Sequence, residues 1–280
     1  MIQNAEAVLI VAGGSGGNRE EAAMMPGPAH GGESETLRAS ARRAVALALV
    51  ATAVAAASVQ ALLDLSPVAA VAAVAIAAGG ALAVLRHLPG RHPHPRFGPA
   101  NVVTLARAVP TALLAGLAVE PGAGTPAVAW FAALAALAVT VLDGVDGRLA
   151  RRRGVASEFG ARFDMETDSL LVLALAVLAW RWDRAGAWVL LSGLARYLFV
   201  AAGALAPWLR ASLPPSRRRQ VVCVVQIAVL LAVVAPVLGS TAAAALAAAG
   251  LLALAYSFGV DFAWLARRAR RTGDGPTLES

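Results

Sequence analysis

The chain has 280 residues, of which 59% are hydrophobic and 15% charged, with a mean hydropathy of +0.68. That balance excludes an ordinary soluble domain, in which about a quarter of residues are charged. The net charge of +7 is carried by arginine without a single lysine. In so apolar a chain a basic surplus points to a membrane surface and not to nucleic acid. One cysteine, Cys223, lies in an apolar run, so no internal disulfide is possible and the thiol reads as a small core residue.

Met1 to Ser40 is rich in Gly, Ala and Glu and shows no sustained period, which predicts a disordered tail over residues 1–40. Ala44–Leu63 and Pro67–Leu85 are apolar runs of membrane-spanning length, punctuated by Asp64 and Pro67, and predict a hairpin. Arg86 to Asn101 follows. Its prolines break any helix that would align His87, His92 and His94, so it reads as a basic interfacial linker and not a metal site. Further spans are predicted at Val102–Val119, Pro126–Leu142, Phe163–Trp180, Ala187–Trp208, Val221–Leu238 and Ala242–Leu265. The fold class is therefore an all-α integral membrane protein. Its predicted divisions are the tail, a hairpin and linker over 41–96, a main domain over 97–266, and a tail over 267–280.

The arginines segregate by end. Arg38, Arg42, Arg43, Arg86, Arg91, Arg96, Arg148, Arg151–Arg153, Arg210, Arg217–Arg219 and the Arg267–Arg271 cluster all fall on one side of an alternating count of spans. The other side holds Asp64, Glu120 and, as bases, only Arg181 and Arg184. The positive-inside rule then puts both termini, and the polar stretch after Leu142, in the cytoplasm.

That polar stretch, Asp143 to Asp168, carries the chemistry. Asp143 and Asp146 are three apart; Gly160, Asp164 and Asp168 follow one another at steps of four. On helices, such steps place side chains on one face. Two helices, one ending near Asp146 and one starting near Gly160 with a polar loop between, would aim four carboxylates at one point. Carboxylates so gathered repel unless cations lie between them, and hard oxygen ligands select Mg²⁺ or Mn²⁺. Two divalent ions would balance the four negative charges. A solvated acidic loop would share the composition, but carboxylates at a membrane edge are costly and usually functional.

The pattern D-x-x-D-G-x-x-A-R, eight residues, then G-x-x-x-D-x-x-x-D is present as Asp143, Asp146, Gly147, Ala150, Arg151, Gly160, Asp164 and Asp168. It resembles the signature of the CDP-alcohol phosphatidyltransferases. A second segment, Gly98 to Arg107, is similar to the P-N-x-x-T-x-x-R start of that family's first core helix, with Ala100 inserted between Pro99 and Asn101. The resemblance covers roughly Phe97 to Leu265, the family's six-helix core, and leaves the first two spans as an added N-terminal hairpin.

The resemblance implies transfer of a phosphatidyl (substituted phosphate) group from a CDP-linked lipid, CDP-diacylglycerol in lipid synthesis, to an alcohol, with release of CMP. It implies two divalent cations, Mg²⁺ or Mn²⁺, with Asp143 and Asp164 bridging both, Asp146 on one and Asp168 on the other. Asp168 is also the implied catalytic base. Asn101, Thr104, Gly147, Ala150, Arg151, Ser157 and Gly160 are the implied donor-binding positions. Arg107 and Arg196 lie within predicted spans, where an arginine needs a polar partner. With Arg217 and Arg219 they are candidates to hold an acceptor phosphate, although Arg217–Arg219 equally fit membrane anchoring, as do Arg152 and Arg153. The Lys-Ala-Arg run of inositol-phosphate-using members is missing, and Arg196-Tyr197 stands where glycerophosphate-using members have Arg-Glu. The acceptor therefore stays open. The expected setting is the plasma membrane, multi-pass, with the site at the cytoplasmic face, the bilayer as a partner, a homodimer as the assembly and no nucleic acid.

Within the family the alternative is a cardiolipin-synthase-type or other-acceptor member. From another class it is a transporter or a non-catalytic membrane protein. A transporter should show repeat symmetry or broken helices at mid-membrane, and a decayed site should have lost an aspartate.

Overall fold

The computed structural model describes residues 30–88, 97–121, 124–153, 158–214 and 216–272, without the side chains of 30–34, 144–153, 158 and 272. Eight α-helices form among the described residues: α1 His30–Leu63, α2 Pro67–His87, α3 Pro99–Leu117, α4 Pro126–Arg153, α5 Glu158–Arg181, α6 Leu190–Leu205, α7 Arg217–Val234 and α8 Ser240–Thr272. No strand occurs among them. Single 3-10 turns at Ala187–Val189 and Pro207–Arg210 flank α6, so the predicted span Ala187–Trp208 is shorter and more broken than expected.

Six of the helices are long and apolar enough to cross a membrane by length and composition. The exceptions are α5 and α7, also predicted as spans, because charged residues occupy their first turns. Their apolar lengths are nevertheless the centre of the bundle. Leu171, Leu175 and Leu178 of α5 pack with Leu230, Val233 and Val234 of α7, against Ala132, Ala136 and Val139 of α4 and Leu114 and Leu117 of α3. The small residues on α4 let its neighbours approach closely, the usual basis of helix association in lipid. The same reasoning applies where α5 meets α6: a Cβ on Gly193 would lie 2.6 Å from the Leu173 Cα.

Three boundaries depart from the sequence expectation. Helix α1 begins at His30, so residues 30–40 are helical and not disordered; Leu37 and Ala41 are buried against Phe97 and Phe159, and the Ser40 hydroxyl accepts from the Phe97 amide at 3.0 Å. Residues 1–29 lie outside the described residues. Helix α4 does not end at Asp146 but continues to Arg153, because Arg, Leu and Ala are strong helix formers. The connection to α5 shrinks to 154–157, outside the described residues with Ser157; His92 and His94 of the linker are outside them too. Helix α8 runs unbroken through Leu265 to Thr272, so the predicted start of a C-terminal tail at 267 falls inside a helix. At 1.5 Å per residue, α8 is about 50 Å long and overruns a hydrocarbon core of about 30 Å.

The turns at one end of the bundle are tightly built. Asp64 and Asp183 adopt the left-handed conformation (φ 51° and 54°), and the amides that follow them reach back to Gln60 and Ala179, closing α1 and α5 with Schellman motifs. The only described arginines of this end, Arg181 and Arg184, are also used structurally. Arg184 donates to the Val233 and Ala235 carbonyls at 3.2 and 2.7 Å, at the C-terminus of α7, where a cation is favoured. Arg181 donates to the Glu120 carbonyl at 3.1 Å.

The N-terminal hairpin is docked on the core and does not hang from it. Helix α2 crosses α3 so closely that a Cβ on Gly116 would lie 2.5 Å from the Ala69 carbonyl oxygen. Beside this crossing, the buried Glu120 carboxylate accepts from the Ser66 amide at 2.8 Å and from its hydroxyl at 2.7 Å. A residue after α3 thereby supplies the acceptor at the α2 N-terminus, where negative charge is stabilising.

Candidate active site and metal centre

Three helices build one polar cluster at the end of the bundle that holds the long basic segments. Helix α4 supplies Asp143, α5 supplies Asp164 and Asp168 one turn apart, and α3 supplies Arg107. One oxygen from each of the three carboxylates lies within 4.8 Å of the others. The Arg107 guanidinium sits among them. Its Nη1 is 2.9 Å from Asp143 and also contacts Asp164, and its Nη2 contacts Asp168. Arg107 is 2% exposed and Asp168 4%, whereas Asp143 and Asp164 are partly open. The structure thus brings three of the four motif aspartates, Asp143, Asp164 and Asp168, together across α4 and α5. Gly160 lies one turn before Asp164 on the same face of α5. Asp146 lies on α4 three residues beyond Asp143; its side chain, and those of Ala150 and Arg151, are outside the described residues, as is the surrounding of Gly147.

Among the described residues the charges of the cluster do not balance. Three carboxylates surround one guanidinium, and the second oxygen of Asp168, Oδ2, is buried with no hydrogen-bond partner. An orphaned buried oxygen beside two more carboxylates is a hard, all-oxygen donor set of the kind divalent Mg²⁺ or Mn²⁺ prefers. These residues fit such an ion. Arg107, a candidate for the acceptor on sequence grounds, pairs here with the three carboxylates of the cluster, as an arginine inside a span takes the nearest carboxylates as partners.

Asn101 and Thr104 are both buried on α3, each donating to a carbonyl one turn back, Asn101 to Phe97 and Thr104 to Ala100 at 3.2 Å. The other arginines separate. Arg196 and Arg219 line a cavity of about 490 Å³ together with Asp168, Arg210 and Cys223. Arg196 pairs with Glu166 at 2.7 Å, and Arg219 with Asp261 at 3.1 Å. Arg217 is exposed and does not line this cavity. Arg218, between Arg217 and Arg219 in the same basic cluster, donates to the Ser257 hydroxyl at 2.8 Å and pairs with Asp261.

Three further residues of the cavity escaped the sequence reading. Ser192 on α6 and Gln226 on α7 are buried, and neither the Ser192 hydroxyl nor either end of the Gln226 amide has a hydrogen-bond partner among the described residues. Asp261 on α8 organises the two arginines opposite. A polar residue inside an apolar span is a usable signal for Gln226 and Asp261; a serine in a helix carries none.

A bundle of membrane-spanning helices with acidic groups from two of them gathered at one end defines a membrane-embedded, metal-compatible transfer site. The profile of the CDP-alcohol phosphatidyltransferase family matches residues 97–260, and the chain belongs to that family. It is thus a transferase of substituted phosphate groups, in a family that uses a divalent metal. No curated protein and no solved structure matches the chain at a significant level. The matched region begins at Phe97, so α1 and α2 stand outside it.

Proposed function

We propose that the protein transfers the phosphatidyl group of CDP-diacylglycerol to a hydroxyl of an alcohol, releasing CMP, as a step of phospholipid synthesis at the cytoplasmic face of the plasma membrane. The observation that carries this reading is the state of Asp168: one oxygen engaged by Arg107, the other buried and unpartnered, on a residue that lines the large cavity.

In this reading Asp143, Asp146, Asp164 and Asp168 hold two divalent cations, Mg²⁺ or Mn²⁺, which when bound neutralise charge on the attacking and leaving oxygens of the diphosphate. Asp168 Oδ2 takes the proton of the acceptor hydroxyl as its oxygen bonds to the lipid-side phosphorus. The bond from that phosphorus to the bridging oxygen breaks, and CMP leaves with the electron pair. Arg151 pairs with the diphosphate as a charge-assisted fork. Gly147 and Ala150 keep the helix surface low for the nucleotide, and Asn101, Thr104, Ser157 and Gly160 complete the donor site. Arg107 holds the carboxylates in place between turnovers. Arg196 and Arg219 face the acceptor in the cavity, and Arg217 stands outside it at the exposed start of α7. Assembly as a homodimer belongs to the same reading, and family membership is its support.

The cavity supports a second reading of the acceptor. Beyond its arginines it is lined by Val172, Phe199, Leu213 and Phe258, which suit a lipid alcohol such as phosphatidylglycerol, as in a cardiolipin-synthase-type reaction. Purified protein supplied with CDP-diacylglycerol, Mg²⁺ or Mn²⁺ and a panel of water-soluble and lipid alcohols, scored for CMP release, tests both. Release with one soluble alcohol supports the first acceptor class and release with phosphatidylglycerol the second. No release with any acceptor overturns the reaction.

A further inference from the structure

A second cavity, of about 380 Å³, lies between the added hairpin and the core, with walls from α1, α2, α3 and α5. It is separate from the carboxylate cluster because it uses the opposite faces of the same helices. On α5, Arg162, Phe163 and Glu166 line the cavity, while Asp164 and Asp168 turn to the cluster. On α3, Leu105 and Val109 line it, while Arg107 turns away. No described side chain of α4, which carries the first half of the aspartate motif, contributes to it. Because two of its walls precede residue 97, the cavity is not formed by the family core alone.

Its chemistry is graded along its length. One end is polar, with His87, Arg162 and Glu166; the rest is apolar, running past Leu49, Gly80 and Val109. The polar end lies where α2 finishes and α5 starts; Arg86 on α2 adjoins the lining residue His87 in sequence, and Arg42 and Arg43 on α1 come three and two residues before the lining residue Val45. The Glu166 carboxylate that faces this end is taken by Arg196 at 2.7 Å. A slot with a basic rim and an apolar shaft, set in helices of membrane-spanning length, matches an amphiphile with an anionic head. Its volume is within the range of ligand sites, about 300–1,000 Å³.

We infer that this cavity binds one anionic glycerophospholipid of the bilayer, its phosphate at the Arg162 and Arg86 end and an acyl chain along Gly80 and Val109. The lipid is a resident of the hairpin–core junction and not a reactant, and the inference does not depend on which donor or acceptor the aspartate site uses. Gly80 offers a probe: it lines the cavity, and a Cβ there meets no atom within 4 Å, so a side chain can start from this wall without a clash.

Native mass spectrometry of the purified full chain, exposed to equal amounts of phosphatidylglycerol and phosphatidylcholine, tests the assignment. The unmodified protein should retain one phosphatidylglycerol with about thirtyfold preference, the factor given by roughly 1 kcal/mol for each of the two arginines Arg86 and Arg162. Gly80→Phe should abolish retention with no fall in melting temperature, and Ala77→Phe is a second filling variant should the first not fold. Arg86→Gln with Arg162→Gln should keep a lipid but lose the preference. Full retention by a folded filling variant, equal retention of the two lipids by the unmodified protein, or displacement of the retained lipid by CDP-diacylglycerol would each overturn it, the last because the cavity would then belong to the donor.

Discussion

The Arg107 guanidinium donates to one carboxylate oxygen of Asp168 and leaves the other, Oδ2, buried without a partner. The pair is therefore asymmetric. One oxygen orients the side chain, and the other remains available to a cation or a proton, next to the cavity in which Arg196 and Arg219 stand. Asp168→Asn keeps the shape and one oxygen but cannot take up a proton as the proposed base would. Turnover should fall by about a hundredfold or more, the usual scale for a general base, while donor binding persists. CMP release measured beside donor binding decides the point, and near-normal turnover would remove the base assignment. Asp143→Asn and Asp164→Asn should weaken donor and metal binding together.

Arg107→Gln removes the only described cation touching three clustered carboxylates. Breaking a buried ion pair by deleting one partner costs about 3–5 kcal/mol, so the variant should melt well below the unmodified protein in a chelator. Added Mg²⁺ should recover more of the loss than it adds to the unmodified protein, because the ion then supplies the missing charge. Melting curves with and without Mg²⁺ measure this. Equal Mg²⁺ responses in the two proteins would argue that no ion binds at the cluster.

Gly116→Ala should loosen the hairpin from the core. The added Cβ would sit 2.5 Å from the Ala69 carbonyl and 2.8 Å from the Ala73 Cβ, on backbone and a short side chain that cannot swing aside. Overpacking of this kind costs about 1–3 kcal/mol, more than the helix-propensity gain of about 1 kcal/mol. Gly79→Ala, where a Cβ meets nothing within 4 Å, is the matched control and should be neutral or stabilising. Denaturation of the two variants in one detergent compares them; equal stability would mean that the α2–α3 crossing is not close-packed.

The arginine asymmetry predicts that both termini and the α4–α5 connection face the cytoplasm. In a Cys223→Ala background, a cysteine placed at Gly154 should resist a membrane-impermeant thiol reagent in intact cells and react after the membrane is opened. A cysteine at Gly239, between α7 and α8, should do the opposite. Labelling of the Gly154 position from outside intact cells would refute the orientation.

Sequence alone determined the membrane class, the helical bundle and the pairing of the aspartates, because these rest on local properties. An apolar run of span length has few alternatives to a helix in lipid, and steps of three and four put Asp164 and Asp168 on one face wherever α5 lies. The end of α4 was misplaced for an equally local reason: a polar stretch looked like a loop, although its Arg, Leu and Ala residues favour the helix that forms. What only the tertiary structure decided is partnership across helices. Arg107 is 57 residues from Asp164, and no periodicity on α3 says whether its guanidinium meets the aspartates of α5 or a ligand phosphate. Glu120 capping α2 through Ser66, Asp261 gathering Arg218 and Arg219, and the cavity between hairpin and core arise in the same way. In each case a buried charge or an unfilled space is resolved by whichever neighbour the packing of the bundle brings within reach.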